Sequence, residues 1–129
     1  MPFKAKLDVD NNIHRILECS YHLERDYDEF GKPSSDVRGG TLDITVETTG
    51  TTFFSTWMMS SKLRKSGKII FEDPTEDSDL KVVEFADAYM VFYEEIFGSK
   101  GANGMVETFK LSAKKITIGD GSHENSWYK

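Results

Sequence analysis

The stretch that decides the fold lies near the N-terminus, at residues 3–24, and reads FKAKLDVDNNIHRILECSYHLE. Apolar residues recur at every second position on either side of a polar centre, with Arg15 as the one exception. They are Phe3, Ala5, Leu7 and Val9 before the centre, and Ile13, Leu17, Cys19, Tyr21 and Leu23 after it. A period of two is typical of a strand with one buried face. The centre, Asp10-Asn11-Asn12, has the side chains that favour tight turns. The stretch therefore predicts a β-hairpin whose second strand is long.

The same alternation predicts further strands along the chain. Leu42, Ile44 and Val46 alternate with polar residues. The other predicted strands are Lys68 to Phe71 after a hairpin turn at Ser66-Gly67, Leu80 to Phe92, and Met105 to Ile118, the last two being joined by a loop from Gly98 to Gly104. The segment Val82 to Tyr93 is apolar on both faces. One face can fill the core, and a second subunit could cover the other.

One helix is predicted, from Thr51 to Met59. Its apolar face consists of Phe53, Phe54, Trp57 and Met58, at helical spacing. Thr51 or Thr52 can cap its N-terminus. A helix this short is stable only when it packs against something larger, so we expect it to dock on the sheet.

About seven strands, one helix and no βαβ alternation predict a mainly β fold. We expect a small antiparallel β-barrel or sandwich of about seven or more strands with one docked α-helix. The chain has 129 residues, the size of one ordinary domain. We therefore expect residues 1–129 to form a single domain.

Charge and composition exclude several classes of protein. The formal net charge is −6, which disfavours nucleic acid as a partner because phosphate binding needs clustered cations. No apolar run approaches the ~18 residues that cross a bilayer, so we expect no membrane insertion. The N-terminal residues lack the apolar stretch of a signal peptide.

No catalytic, cofactor or metal site is predicted. His14 and His22 fall on the same face of the predicted strand, but about 26 Å apart at ~3.3 Å per residue, too far to share a metal. His123-Glu124 begins like a zinc-protease motif, yet Trp127 stands where a second histidine is needed. Cys19 is the only cysteine, which excludes an intrachain disulfide. The pattern disfavours an enzyme.

The segment from Tyr27 to Gly40 interrupts the alternation. It is polar and carries three glycines, Gly31, Gly39 and Gly40, and one proline. It is predicted to be a long loop, and long ordered loops in small domains are commonly functional.

Three segments together resemble the tube protein of type VI secretion systems, the Hcp or TssD family, in its compact Bacteroidetes form. They are Met1 to Leu7 with Ile16 to Tyr21, Gly31 to Thr41, and Phe109 to Ile116 with Gly119 to Trp127. The resemblance implies a small barrel with one helix. It also implies homohexameric rings that stack head to tail into a tube, which contraction of a sheath propels into another cell.

The resemblance further implies the partners and the surfaces that meet them. The partners would be other copies of the chain, a VgrG-type spike protein, sheath, baseplate and effector cargo. The chain would assemble in the cytoplasm and be exported without a signal peptide. The ring-stacking loop would be Gly31, Lys32, Pro33, Ser34, Ser35, Asp36, Val37, Arg38, Gly39 and Gly40. The residues themselves suggest the two contacts within a ring. The two-sided apolar strand Leu80 to Tyr93 could supply one, and part of the strand Met105 to Ile118 could supply the other. The candidates for the subunit interface are Val83, Phe85, Tyr89, Val91 and Tyr93.

Within this hypothesis several points stay open. Arg38 could contact the adjacent ring or hold its own loop, while Gly39-Gly40 would supply a sharp turn. Polar side chains such as Thr41, Asp43 and Thr45 are expected to line the channel. The alternatives to a secretion tube are the inner tube of a phage-like contractile particle and a monomeric β-sandwich binding module.

Overall fold

The computed structural model describes residues 4–73, 75, 78–99 and 104–125. The elements are β1 (Lys4–Val9), β2 (Asn12–Glu24), β3 (Arg38–Glu47), α1 (Phe53–Met59), β4 (Lys65–Asp73), β5 (Ser78–Phe97), β6 (Met105–Ile118) and β7 (Gly121–Glu124). All strand pairs are antiparallel. The predicted N-terminal hairpin and the mainly β composition with one helix are confirmed.

Closure of the sheet on itself makes the fold a barrel rather than a sandwich. The strand order is β3-β2-β1-β4-β5-β6-β7, and β3 also pairs with β6. The first half of β6 pairs with β3 and its last residues pair with β7. Six strands thus form a closed ring, and β7 extends the wall beyond the end of β3.

The helix α1 packs its apolar side against the barrel core. Phe54 and Trp57 are each 1% exposed, and the ring of Phe54 stacks on Phe109 with 4.5 Å between centroids. The hydroxyl of Thr51 accepts a bond of 3.3 Å from the Phe53 amide, which satisfies one free N–H at the helix start. The predicted helix is confirmed, except that Met58 is exposed rather than packed in the core.

The prediction that inward and outward residues alternate without interruption along β2 is wrong. Ile13 is exposed, whereas His14 and Ile16 are buried. A register shift between Ile16 and Glu18 then leaves an extra residue in β2. Beyond this bulge the odd-numbered Cys19, rather than an even-numbered residue, packs against the core. Because each bulge reverses which side chains face inward, His14 lies in the core and His22 is exposed, so the two do not share a face.

Two strand boundaries also differ from the prediction. Ser66-Gly67 is not a turn, because both residues lie inside β4 and Gly67 pairs with Val9 and Phe85. A Cβ atom on Gly67 would lie 2.6 Å from the carbonyl oxygen of Asp8, so glycine is needed for close strand packing here. β5 continues to Phe97 rather than ending at Phe92. Within the residues described, no helix has the length and apolar character to cross a membrane.

Candidate assembly surfaces

The long strand β5 changes its buried face twice. Val83 and Phe85 point inward, and after Asp87, whose φ is +53°, the inward residues are Ala88 and Met90. A register shift between Met90 and Phe92 then reverses the pattern again. The five interface candidates, which all stand at odd-numbered positions, therefore do not share one face.

The structure places those candidates in three environments. Val83 and Phe85 are 0% and 2% exposed, so they lie in the core of their own subunit and offer no surface to a neighbour. Tyr89 and Tyr93 are half-buried, and the guanidinium of Arg64 lies 6.0 Å from the centroid of the Tyr89 ring. Val91 is exposed.

Exposed apolar side chains that the alternation did not indicate continue from Val91 toward the end of the β5–β6 hairpin. They are Phe92, Ile96, Phe97 and Met105, between 37% and 70% exposed. We call these four residues with Val91 the hairpin patch. The signal for it in the sequence was the apolar character of both faces of β5. The strand register places Phe92 and Ile96 on one face of the hairpin and the directly paired Phe97 and Met105 on the other. Exposed apolar groups close together in a fold are typical of a protein contact.

The outer face of β3 and β6 is polar. The hydroxyls of Thr45 and Thr108 lie 3.0 Å apart across the two strands. The amine of Lys110 lies 3.7 Å from a carboxylate oxygen of Asp43. Cross-strand pairs of this kind fix the register of a sheet while they leave its outer surface hydrophilic.

The segment between β2 and β3, residues 25–37, forms a second, smaller hairpin that we call the finger. The amide of Ser34 donates to the carbonyl of Asp26, and the amide of Asp28 donates to the carbonyl of Lys32, both over 2.8 Å. At the tip, one carboxylate oxygen of Asp28 accepts from the amides of Phe30 and Lys32, each over 2.9 Å. The predicted long loop is therefore an ordered turn built around Asp28.

Two aromatic side chains of the finger point into solvent. Tyr27 is 76% exposed and Phe30 is 82% exposed. Rigid aromatic groups are enriched at interfaces because little side-chain entropy is lost when they are buried. The finger thus presents a second candidate contact surface, separate from the hairpin patch.

Arg38 holds the base of the finger. Its guanidinium makes two bonds to the carboxylate of Asp26, of 2.9 and 3.2 Å. The hydrogen bonds and charge of Arg38 lower the pKa of Asp26. Of the two roles left open for Arg38, the isolated subunit displays the one in which it holds its own loop.

Gly39 and Gly40 lie within β3 and do not form the expected sharp turn. Gly40 has φ +93°, and a Cβ atom there would lie 2.7 Å from the carbonyl oxygen of Ala113 and 2.8 Å from Nδ2 of Asn125. That nitrogen of Asn125 donates to the carbonyls of Gly39 and Ala113, over 2.9 and 3.1 Å. Asn125 therefore joins the ends of β3 and β7 where both meet β6.

A buried polar cluster lies beneath α1. Glu107 is 1% exposed, and its carboxylate accepts a bond of 2.7 Å from the hydroxyl of Tyr93 and one of 3.4 Å from Thr48. Burial, followed by the bond to Glu107, raises the pKa of Tyr93, which therefore remains a donor at neutral pH. The burial of Glu107 could have been predicted from the sequence, because Glu107 alternates in step with Phe109 and Leu111 and so falls on the inward face of β6.

Residues with metal-binding side chains do not converge in the described part of the chain. No group of three or more histidine, cysteine, aspartate or glutamate residues is placed there to hold a metal ion. Cys19 is half-buried, and burial raises the pKa of its thiol.

Comparison with known proteins finds solved structures with the same fold and a family model that matches the chain. The model of the family described as hemolysin coregulated protein Hcp (TssD) matches residues 1–128. Hcp1 from Flavobacterium johnsoniae is 38% identical, with a TM-score of 0.89 over 95% of this chain and 99% of that chain. Hcp1 from Salmonella typhimurium is 12% identical, with a TM-score of 0.73 over 90% of this chain and 85% of that chain.

More distant contractile machines share the fold. A chain of the sheath–tube complex of an extracellular contractile injection system is 16% identical, with a TM-score of 0.57 over 89% of this chain and 87% of that chain. No curated protein sequence gave a significant match. The family model covers nearly the whole chain, and the barrel with one helix agrees with it. The chain therefore belongs to the Hcp (TssD) family and is a tube subunit of type VI secretion.

Proposed function

We propose that this chain forms one tube domain that assembles into homohexameric rings, and that the rings stack into the tube. The observation that carries this proposal is the presence of two exposed contact surfaces on different parts of the barrel, the hairpin patch and the finger. A ring needs a heterologous contact between neighbours, and an open stack needs a further contact between rings. The family supplies the type of assembly, and the two surfaces supply its contacts in this chain.

The hairpin patch is the proposed lateral contact within a ring. Val91 and Phe92 are each about half exposed and adjacent on β5. Isolated in solution, these side chains would expose apolar area whose burial contributes about 25 cal/mol per Å². Half-buried Tyr89 lies on the same strand and extends the patch. Val83, Phe85 and Tyr93 do not take part directly, because they face the core of their own subunit.

The finger is the proposed contact between rings. Its tip exposes Phe30 on a turn fixed by Asp28, and the pair of Arg38 with Asp26 holds its base. A fixed turn loses less entropy on docking than a mobile loop does. In this proposal residues 31–37 of the predicted stacking loop belong to the finger, while Arg38, Gly39 and Gly40 position it from the start of β3.

The polar outer face of β3 and β6 is the proposed lining of the channel. Asp43 and Lys110 provide opposite charges, and Thr45 and Thr108 provide hydroxyls. Charged and hydroxyl groups of this kind keep a wall hydrated, which suits a channel for cargo. Thr41, which was also expected to line the channel, lies on the same strand.

The remaining partners are proposed from the family. They are a VgrG-type spike protein, the sheath, the baseplate and effector cargo, with assembly in the cytoplasm and export without a signal peptide. The role is structural and not enzymatic, with no cofactor and no nucleic acid or membrane as a partner.

Two matched variants test the assignment of surfaces. Val91→Glu places a charge in the hairpin patch, and Phe30→Glu places the same charge at the finger tip. Negative-stain microscopy and light scattering should show sixfold rings and stacks for the wild type. Val91→Glu should abolish rings, whereas Phe30→Glu should keep rings and abolish stacks. Intact rings with Val91→Glu would refute the lateral contact, and unchanged stacks with Phe30→Glu would refute the role of the finger.

A further inference from the structure

His14, near the start of β2, is a histidine almost without access to solvent. It is 2% exposed, and its Nε2 lies 3.2 Å from the hydroxyl of Thr49. Its other ring nitrogen, Nδ1, is buried and makes no hydrogen bond of good geometry among the described residues, although the backbone of Asn12 lies close enough to act on the ring as a weak hydrogen-bond partner. Buried polar atoms are nearly always well paired, so a nitrogen with so weak a partner needs an explanation.

The ring of His14 contacts both the helix and the segment that leads into it. It lies edge-on against Phe54 of α1, with 4.7 Å between ring centroids. Thr49 belongs to residues 48–52, which connect β3 to α1. His14 therefore contacts both Phe54 of α1 and Thr49 of the connecting segment, which together help to hold α1 against the barrel.

The charged and titratable groups around His14 come from the neighbouring strands. Glu107 of β6 is the acid whose charge acts on His14, and it is already bonded to Tyr93 of β5 and to Thr48. The sequence of α1, FFSTWMM, contains no charged residue. Burial lowers the pKa of His14 below its usual 6.5, against the smaller opposing effects of the charge of Glu107 and of a hydrogen bond with the backbone of Asn12.

We propose that His14 is a pH-sensitive release for α1, and that its protonation loosens the helix from the barrel. A second proton on the imidazole would place a cation against Phe54 and would make both ring nitrogens donors in a buried site. Movement of α1 and residues 48–52 away from the barrel would let water reach the ring. The cation would then be solvated, which the packed state does not allow.

The direction of the effect follows from linkage. When α1 is released, His14 regains a pKa near 6.5, so the released state binds more protons than the packed state below that pH. Acidification therefore favours release, by at most about tenfold in the equilibrium constant per pH unit. The effect begins near pH 6.5 and levels off once the pH is below the lowered pKa of the packed state.

Trp57 reports on the release, because it lies in α1 and is 1% exposed. The second tryptophan, Trp127, is replaced by phenylalanine in the parent protein and in every variant, so that the tryptophan fluorescence comes from Trp57 alone. Acrylamide quenching and amide exchange of residues 48–59 are followed in the assembled protein from pH 8 to pH 5. Both should increase below about pH 6.5 in the parent, while exchange of β6 changes much less.

The matched variant is His14→Gln, which can still bond Thr49 but cannot gain a proton. It should show no pH-dependent rise in quenching. A flat response of the parent, an equal response of His14→Gln, or a parallel rise in exchange across β6 would each overturn the proposal. If His14→Gln does not fold, Glu107→Gln decides instead. Loss of the nearby negative charge lowers the pKa of packed His14 further, so quenching should keep rising to lower pH than in the parent, and an unchanged profile overturns the proposal.

Discussion

Tyr93→Phe removes a single oxygen atom from the buried cluster under α1. The hydroxyl of Tyr93 donates to Glu107 over 2.7 Å, and Glu107 is 1% exposed. The other hydrogen bond to that carboxylate, from Thr48, is 3.4 Å long. The substitution therefore leaves a buried carboxylate with one long hydrogen bond among the described residues.

The expected loss follows from the chemistry of that bond. A hydrogen bond to a charged group contributes about 1.5–3 kcal/mol to stability, and a buried acceptor left without its donor incurs a desolvation cost of similar size. We therefore expect Tyr93→Phe to lower the free energy of unfolding by about 2 kcal/mol. With a denaturant dependence near ~2 kcal/mol per M, the urea midpoint should fall by about 1 M.

The assay is urea unfolding at one protein concentration, with the assembly state checked by light scattering because association also stabilises the fold. Tyr21→Phe is the matched control, since no hydrogen bond from the half-buried Tyr21 hydroxyl is found within the described residues. It should change stability by less than ~0.5 kcal/mol. Repeating Tyr93→Phe in a Glu107→Met background removes the acceptor, and the loss should largely disappear. A loss of equal size in both backgrounds would refute the reasoning.

Three further predictions concern other parts of the barrel. In the urea assay, Gly40→Ala should lower the free energy of unfolding by about 2 kcal/mol or more, because a Cβ atom at φ +93° would lie 2.7 Å from backbone. The control is Gly31→Ala, which has φ +85° but nothing within 4 Å of the added Cβ atom. It should lower the free energy of unfolding by only about 1 kcal/mol. Phe54→Ala should cost about 3–5 kcal/mol and lower Tm, since it removes a buried ring stacked on the core; a shift within that of a surface variant would contradict the packing. Arg38 lowers the pKa of Asp26, so its contribution to the order of the finger is present above about pH 4 and is lost as pH falls through the lowered pKa. Amide exchange of residues 26–34, corrected for intrinsic rates, should show this loss in the wild type and not in Arg38→Gln.

Much of the fold was predictable from local patterns. The alternation around Leu7 and around Ile44 gave the correct strands, and the spacing of Phe54 and Trp57 gave the helix. These patterns depend only on residues near each other in the chain, because one buried face imposes its period on a segment wherever that segment packs. The resemblance to the Hcp family was likewise carried by local motifs and is confirmed by the match over residues 1–128.

The candidate surfaces were predicted less well, for a reason that lies in the sheet. The interface candidates all stand at odd-numbered positions, which would share one face of a regular strand, but Asp87 and the bulge at Val91 reverse the inward side of β5. Bulges arise where strands must bend to close a barrel, which depends on pairings distant in sequence. The burial of His14 follows from a similar shift in β2.

The sequence by itself determined that this chain is a mainly β protein with one helix, and its motifs indicated the tube family, because period, turn residues and helix spacing are local properties. Only the tertiary structure decided that the sheet closes through the pairing of β3 with β6. It also decided that Phe30 is presented on an ordered finger, and that His14 is buried beneath α1. Those features depend on contacts between residues tens of positions apart, and the bulges that set them have no local signature in the chain.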